Sequence, residues 1–322
     1  MKSFRWIWML GLITCCQRPA DRVPVIGFAD AFQDATIARA KDGFFDALSD
    51  SGYSTARGTI RVIYRNAEGD IPVLTQAMQY FISEKVDLIA ANATITTITA
   101  VQQTRTIPVC MMVAPEPGIT GLTDRNGKAP GNLFGVYETL SYIDTSVMLI
   151  RDLIPSVRII GTVFNQAEPQ SRQALKEIQG ECNTLGLKLI SLPVDNSAET
   201  QLVVNALLSR HIDAFFAMPD NTIFASFETI AHSCSLAHVP VFTSEAGLVS
   251  RGAIAAYGAD MYSWGFQAGQ QAARFLRQGN LEGIHPVAVA LRKRVYNPRE
   301  AALYGIHFSS AFTPVDQAKQ AP

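Results

Sequence analysis

The feature that most constrains this chain is an internal duplication of a strand–helix pattern. Residues 212–218 form a short apolar run that stops at residues 219–222 and gives way to a helical pattern. Residues 86–91 stop in the same way at residues 92–97, about 130 residues earlier, which is the length of one small domain. Short apolar runs between helices are typical of parallel strands covered on both faces. The repeat therefore predicts two successive β-α-β lobes.

The predicted fold class is α/β, with two Rossmann-like lobes whose parallel sheets are joined by a hinge of several segments. Residues 23–137 plus about 255–283 are assigned to lobe 1, and residues 138–254 plus about 284–307 to lobe 2. Residues 308–322 are predicted to be a polar tail. In open α/β sheets, ligands bind at the carboxyl ends of the strands. A groove between facing strand ends is therefore the expected binding site.

A late helix, residues 262–278, carries small residues on one side, namely Gly265, Ala268, Gly269 and Ala272. Side chains this small allow close approach of a neighbouring backbone, and we expect this face to pack against a sheet.

Composition and motifs argue against several classes of protein. The chain of 322 residues has 17% charged residues and a formal net charge of −1, which gives no reason to expect nucleic acid as a partner. The five histidines show no ligand spacing, and Cys110, Cys182 and Cys234 form no CxxC pair, so neither a metal site nor a cofactor is predicted. Cys110 lies in an apolar run and is expected to be buried. Nucleophile-elbow, P-loop and dinucleotide-binding motifs are absent where an enzyme would need them, so the chain is not predicted to be an enzyme.

The N-terminus indicates export. Lys2 and Arg5 precede an apolar run, residues 6–14, which is too short to span a bilayer but suits a signal peptide. Residues 1–16 resemble a bacterial lipoprotein signal, in which cleavage leaves a lipid-carrying cysteine. Either Cys15 or Cys16 fits that role, and an ordinary secretory signal is the alternative.

Several motifs together resemble the ABC-transporter substrate-binding proteins related to the tryptophan/tyrosine-binding lipoproteins. They span about residues 23–306 and include residues 64–70 (YRNAEGD), 86–89 (VDLI), Asn165, 220–222 (DNT), 239–242 (VPVF) and 257–260 (YGAD). The resemblance implies a type I periplasmic-binding-protein fold whose lobes close on a small, often aromatic, amino-acid-like ligand. The chain departs from the family pattern at Asp30, Glu116 and Glu245, which fall in the expected pocket wall.

The candidate ligand-binding residues lie just past predicted strands. Thr94 and Thr96 open a helix, where hydroxyl and backbone N–H groups suit a carboxylate; the alternative is that one threonine only caps the helix. Asp220 either holds an ammonium group or caps its own helix. An aromatic side chain near a strand end can stack on a ligand. The full set is Asp30, Phe32, Thr94, Thr96, Glu116, Tyr137, Asn165, Asp220, Asn221, Glu245 and Tyr257.

The sequence therefore predicts an exported solute-binding protein, lipid-anchored to a bacterial membrane, that serves an ABC permease and ATPase. A sensory binding protein of the same fold, reporting to a signalling partner, is the alternative.

Overall fold

The structure is a computed structural model that describes residues 22–315. The predicted signal peptide, with Cys15 and Cys16, lies outside the described residues, as does the end of the predicted tail. Among residues 22–315, no helix combines the length and apolar character needed to cross a membrane.

The first sheet has six strands, all paired in parallel, in the order β11-β5-β4-β3-β1-β2. Its strands are β1 Val25–Asp30, β2 Arg61–Asn66, β3 Leu88–Asn92, β4 Val109–Met112, β5 Leu133–Tyr137 and β11 Pro286–Ala288. Every residue of β1, β3 and β4 is buried, as the apolar runs predicted.

The second sheet has seven strands in the order β13-β12-β10-β9-β8-β6-β7, and only β10 and β12 pair antiparallel. Its strands are β6 Ile159–Phe164, β7 Lys188–Pro193, β8 Ala214–Ala217, β9 Val241–Thr243, β10 Ala255–Ala259, β12 Arg292–Tyr296 and β13 Thr313–Pro314. The predicted α/β fold with two largely parallel sheets is confirmed.

Helices cover both sheets. They are α1 Ala35–Asp50, α2 Ile71–Ser83, α3 Thr94–Gln103, α4 Ile143–Leu153, α5 Pro169–Thr184, α6 Thr200–Leu208, α7 Asn221–Ala225, α8 Phe227–Leu236, α9 Ala246–Val249, α10 Met261–Gln278 and α11 Pro298–Leu303.

The small-residue face of α10 packs chiefly against a helix, where a sheet was expected. A Cβ atom on Gly265 would lie 1.8 Å from Ala40 O, and one on Gly43 would lie 2.0 Å from Tyr262 O. Only glycine permits this approach of α10 to α1. Ala268 on the same helix reaches the sheet, where its carbonyl accepts a weak hydrogen bond from the buried thiol of Cys110.

The chain crosses between the sheets three times, after β5, β10 and β11. The sequence assigned residues from 255 to lobe 1 and from 284 to lobe 2, whereas β10 pairs within the second sheet and β11 within the first. The first crossing falls at residue 137 as assigned, whereas the second and third each come one strand later than predicted. A three-residue strand such as β11 carries no sequence periodicity that could have revealed it.

The start of the predicted tail is ordered against lobe 2. Phe308 stacks on Tyr296 with ring centroids 4.5 Å apart, and Thr313–Pro314 pairs with β12. The polar composition of this segment concealed these aromatic contacts.

Candidate functional site

A cavity of about 570 Å³ lies between the lobes, at the carboxyl ends of strands from both sheets. Lobe 1 contributes Phe32, Glu68, Asp70 and Thr94 from the segments that follow β1, β2 and β3. Lobe 2 contributes Asn165, Glu168, Gln170, Asn196, Asn221 and Thr222 from the segments that follow β6, β7 and β8. This is the groove that the duplication predicted, and its volume is in the usual range for small-molecule sites.

On the lobe 1 side, the start of α3 offers uncapped backbone donors. Its preceding residue, Ala93, has φ of 79° and supplies no side-chain hydrogen bond to the helix. The N–H of Thr97 bonds to Ala93 O, so the three N–H groups before it have no acceptor within the helix. Thr94 lines the cavity at this point. Free N–H groups and the helix dipole make the α3 start suited to an anionic group.

On the lobe 2 side, Asp220 occupies the equivalent position and is fully buried. Its carboxylate accepts hydrogen bonds from Ile223 N at 3.0 Å, Asn165 N at 2.7 Å and Ser171 Oγ at 2.6 Å. Asp220 therefore caps α7 and ties β6 and α5 to β8. Its partners within the protein use both of its oxygens, and it lies behind the wall of the 570 Å³ cavity.

The acid that does line the cavity from lobe 2 is Glu168, which the sequence reasoning missed. Glu168 Oε2 accepts hydrogen bonds at 3.0 Å from both Asn221 N and Asn221 Nδ2, and another from Gln170 Nε2. Burial raises the pKa of Glu168 to about 8, and the charge of Asp220 adds to the rise. The sequence feature that could have revealed Glu168 is its position: it immediately precedes a helix that begins with Pro169, a few residues after the strand that ends at Phe164.

A second cavity of about 30 Å³, here called the inner cavity, lies behind the first and has room for about one water molecule. Thr94, Gln170 and Asn221 line both cavities. Within the inner cavity, Glu245 Oε1 accepts a hydrogen bond from the Tyr142 hydroxyl at 3.0 Å.

Two polar atoms at these walls lack partners. Glu245 Oε2 and Gln170 Oε1 accept no hydrogen bond from any described residue. Burial raises the pKa of Glu245 well above its ordinary range, and the nearby Glu138 adds to the rise. Burial therefore favours the neutral form of Glu245.

The other predicted residues lie away from the larger cavity. Asp30 is buried and accepts hydrogen bonds from Asn92 Nδ2 at 2.6 Å and from the Tyr64 hydroxyl at 2.8 Å. Thr96 is fully buried behind the α3 start, with no partner for its Oγ1 among the described residues. Glu116 and Tyr137 are half-buried and line neither cavity.

Tyr257 lines a different groove, of about 1210 Å³, bounded by α1, α10 and β12. This groove is larger and is also lined by residues that follow β9 and β10. Its basic side chains already have partners: Arg292 pairs with Glu138, Lys293 with Asp260, and Arg294 lies over the Tyr257 ring. The inter-lobe cavity is therefore the better candidate for a ligand site.

Arg251 joins the lobes in the wall of the 1210 Å³ groove. Its guanidinium donates to Asp34 Oδ2 at 2.8 Å and Thr36 Oγ1 at 2.9 Å in lobe 1, and to Glu228 at 2.7 Å in lobe 2. Opening the lobes would break the first two bonds and keep the third.

Comparison with known proteins agrees with this architecture. The sequence profile of the ABC transporter substrate binding protein family matches residues 26–314. A protein of Clostridioides difficile (strain R20291) named Tyrosine-binding protein is 29% identical over 262 residues, which are 81% of this chain and 75% of that protein.

Two solved structures share the fold. A conserved domain protein from Vibrio cholerae is 25% identical, with a TM-score of 0.83 over 90% of this chain and 97% of the other. An ABC domain from Streptococcus pneumonia in complex with L-Trp is 23% identical, with a TM-score of 0.82 over 93% of this chain and 99% of the other. The fold is that of the type I periplasmic binding proteins.

Proposed function

Because the chain belongs to the ABC transporter substrate-binding protein family, we propose that it captures an amino acid between its lobes for an ABC importer. Members of this family bind solutes outside the cytoplasm and are not enzymes. Tyrosine and tryptophan are the first ligands to test, since one relative is named for tyrosine and one structural neighbour holds L-Trp.

The observation that carries the proposal is the opposite polarity of the two cavity walls. Lobe 1 presents the uncapped N–H groups of α3, and lobe 2 presents the carboxyl group of Glu168. An amino acid carries an anionic and a cationic group on neighbouring atoms, so it matches both walls at once. A sugar offers no charge to either wall.

Because the proposed ligand contacts are divided between the two lobes, the lobes are expected to close around the ligand. Contacts to both lobes exist together only when the lobes are close, so a bound ligand favours the closed form. The Arg251–Asp34 ion pair supports that form from within the protein.

The experiment that tests the proposal is a thermal-shift screen of residues 22–315 against the twenty common L-amino acids, with myo-inositol and ribose as neutral controls. We expect the melting temperature to rise with at least one amino acid, with tyrosine and tryptophan the first candidates, because a ligand bound only to the folded state stabilises it. A rise with a sugar and with no amino acid would contradict the proposal.

We also propose that Cys15 or Cys16 carries a lipid that anchors the protein to the membrane. The double substitution Cys15→Ser with Cys16→Ser should release the full-length protein from the membrane fraction or block its maturation. Unchanged processing and membrane association in the double variant would contradict the anchor.

A further inference from the structure

We infer that Glu168 is the receptor for the ligand's ammonium group, and that ligand binding displaces a proton from the Glu168–Asp220 pair. This inference rests on the proposed amino-acid ligand. It adds the residue that holds the cationic group and a dependence of capture on pH.

Glu168 is held in place before any ligand arrives. It is the last residue before α5, and two donors of Asn221 fix its Oε2 from the start of α7. Asn221 itself lines the cavity, so the carboxyl group is oriented at the cavity wall by a second helix. A group fixed in this way loses little side-chain entropy when a ligand binds.

A second acceptor stands beside it. Gln170 is 4% exposed, lines the cavity and donates its Nε2 to Glu168 Oε2. Its Oε1 has no hydrogen-bond partner in the described chain. A buried amide oxygen without a partner is costly, and an ammonium group carries three donors that would satisfy it together with Glu168. The two acceptors thus describe a site for a cation.

The charges around Glu168 are nearly all negative. The ionisable residues among those that line the cavity are all acids, namely Glu68, Asp70, Glu168 and Asp195. Asp220 lies behind Glu168, next to Asn221. The basic residue nearest along α5, Arg172, donates to Gln166 O. No lysine, arginine or histidine lines the described cavity, so the ligand must bring the compensating positive charge.

This arrangement determines whether Glu168 and Asp220 hold a proton before and after the ligand binds. Burial and the charge of Asp220 raise the pKa of Glu168 to about 8, so in the empty protein at pH 7 the pair retains a proton. When the ammonium group takes its place beside Glu168, the carboxylate becomes favoured and the proton leaves to solvent. Affinity should therefore rise with pH by about tenfold per unit below the pKa.

The test measures L-tyrosine and L-tryptophan binding by calorimetry between pH 6 and pH 8, with wild type, Glu168→Gln and Glu177→Gln. Glu177 lies on the same helix but does not line the cavity, so it controls for the change in net charge. We expect wild type and E177Q to gain affinity with pH, and E168Q to show a flat profile and about tenfold or more weaker binding at pH 8.

The proton count gives an independent readout. Titrations at pH 7 in two buffers of different ionisation enthalpy should report about one proton released by wild type and none by E168Q.

Binding by wild type with no proton release and no pH dependence would overturn the inference while leaving the proposed function intact, and so would E168Q binding as tightly as E177Q. If E168Q does not fold, the wild-type proton count decides alone. If neither amino acid binds wild type at any pH, the inference falls together with the proposed aromatic amino acids.

Discussion

The start of α3 in lobe 1 and the start of α7 in lobe 2 occupy equivalent positions in the duplicated lobes, yet their polarity is opposite. Ala93 leaves the first N–H groups of α3 without a side-chain acceptor, whereas Asp220 caps α7 with its carboxylate. The α3 start therefore has free donors, whereas the α7 start is capped by its own acid, and the acid at the cavity wall there is Glu168, which Asn221 holds. Under the proposed function, the duplicated unit thus offers backbone donors from lobe 1 and the carboxyl group of Glu168 from lobe 2 to the two charged groups of an amino acid.

The largest expected effect on ligand affinity comes from introducing an aspartate at the α3 start, where lobe 2 has Asp220 at the equivalent position. Ala93→Asp would place a carboxylate at the α3 start, where the ligand's carboxylate is proposed to bind. Two like charges in contact cost several kcal/mol, so amino-acid affinity should fall by about a hundredfold or more in calorimetry. Ala93→Asn is the matched control, because it has nearly the same shape without the charge. Equal affinities for the two variants would mean that the α3 start does not hold the carboxylate.

An intermediate effect is expected from removing the lobe 2 cap. Asp220→Asn replaces one oxygen that accepts hydrogen bonds from Asn165 N and Ser171 Oγ with an amide that donates. The free energy of unfolding should fall by about 1–3 kcal/mol, measured by urea denaturation without ligand. Asp195→Asn, at an exposed carboxyl beside the same cavity, should change it little. A variant D220N as stable as D195N would show that Asp220 is free to serve the ligand directly.

The smallest expected effect is a pH dependence of the melting temperature that comes from Glu245, the buried acid of the inner cavity. The pKa of Glu245 is higher in the folded protein than in the unfolded chain, so the folded state holds a proton that the unfolded state loses above about pH 4.3. The contribution of Glu245 to the free energy of unfolding is then greatest at low pH and falls as the pH rises towards the pKa of the folded state. The unliganded protein should melt a few degrees lower at pH 8 than at pH 5.

Glu245→Gln should reduce that difference, because glutamine carries no proton to lose. The comparison is made by calorimetric melting at both pH values. A melting temperature that rises from pH 5 to pH 8, or a difference that the substitution leaves unchanged, would contradict a raised pKa for Glu245 in the folded protein.

The fold was largely predictable because each lobe repeats buried strands, and a buried parallel strand shows as an apolar run. The α3 start and Asn221 were predicted from the same pattern and Asn165 from the family resemblance, and all of them line the cavity, since polar residues after a strand end lie at the sheet edge. Asp220 was correctly placed at that edge, but its three hydrogen bonds inside the protein depend on contacts with β6 and α5 that are distant in sequence.

Glu168, by contrast, lines the cavity but was not selected from the sequence. Its sequence context is an ordinary helix start, and its importance depends on Asn221, 53 residues away, which orients it. Tyr257 likewise follows a strand pattern, but its strand, β10, belongs to the second sheet, and its ring lies under Arg294 in a different groove. Strand ends are readable from sequence, whereas the direction of a side chain depends on tertiary packing.

The most direct test of the central claim is to remove each charge from the ligand in turn. Calorimetry on the wild-type protein would compare L-tryptophan with tryptamine, which lacks the carboxylate, and with indole-3-propionate, which lacks the ammonium group; tyramine and 3-(4-hydroxyphenyl)propionate serve for L-tyrosine. If lobe 1 holds the carboxylate and lobe 2 the ammonium group, each deletion should weaken binding by about ten- to a hundredfold. An analogue that binds as tightly as its parent amino acid would contradict the two-sided receptor.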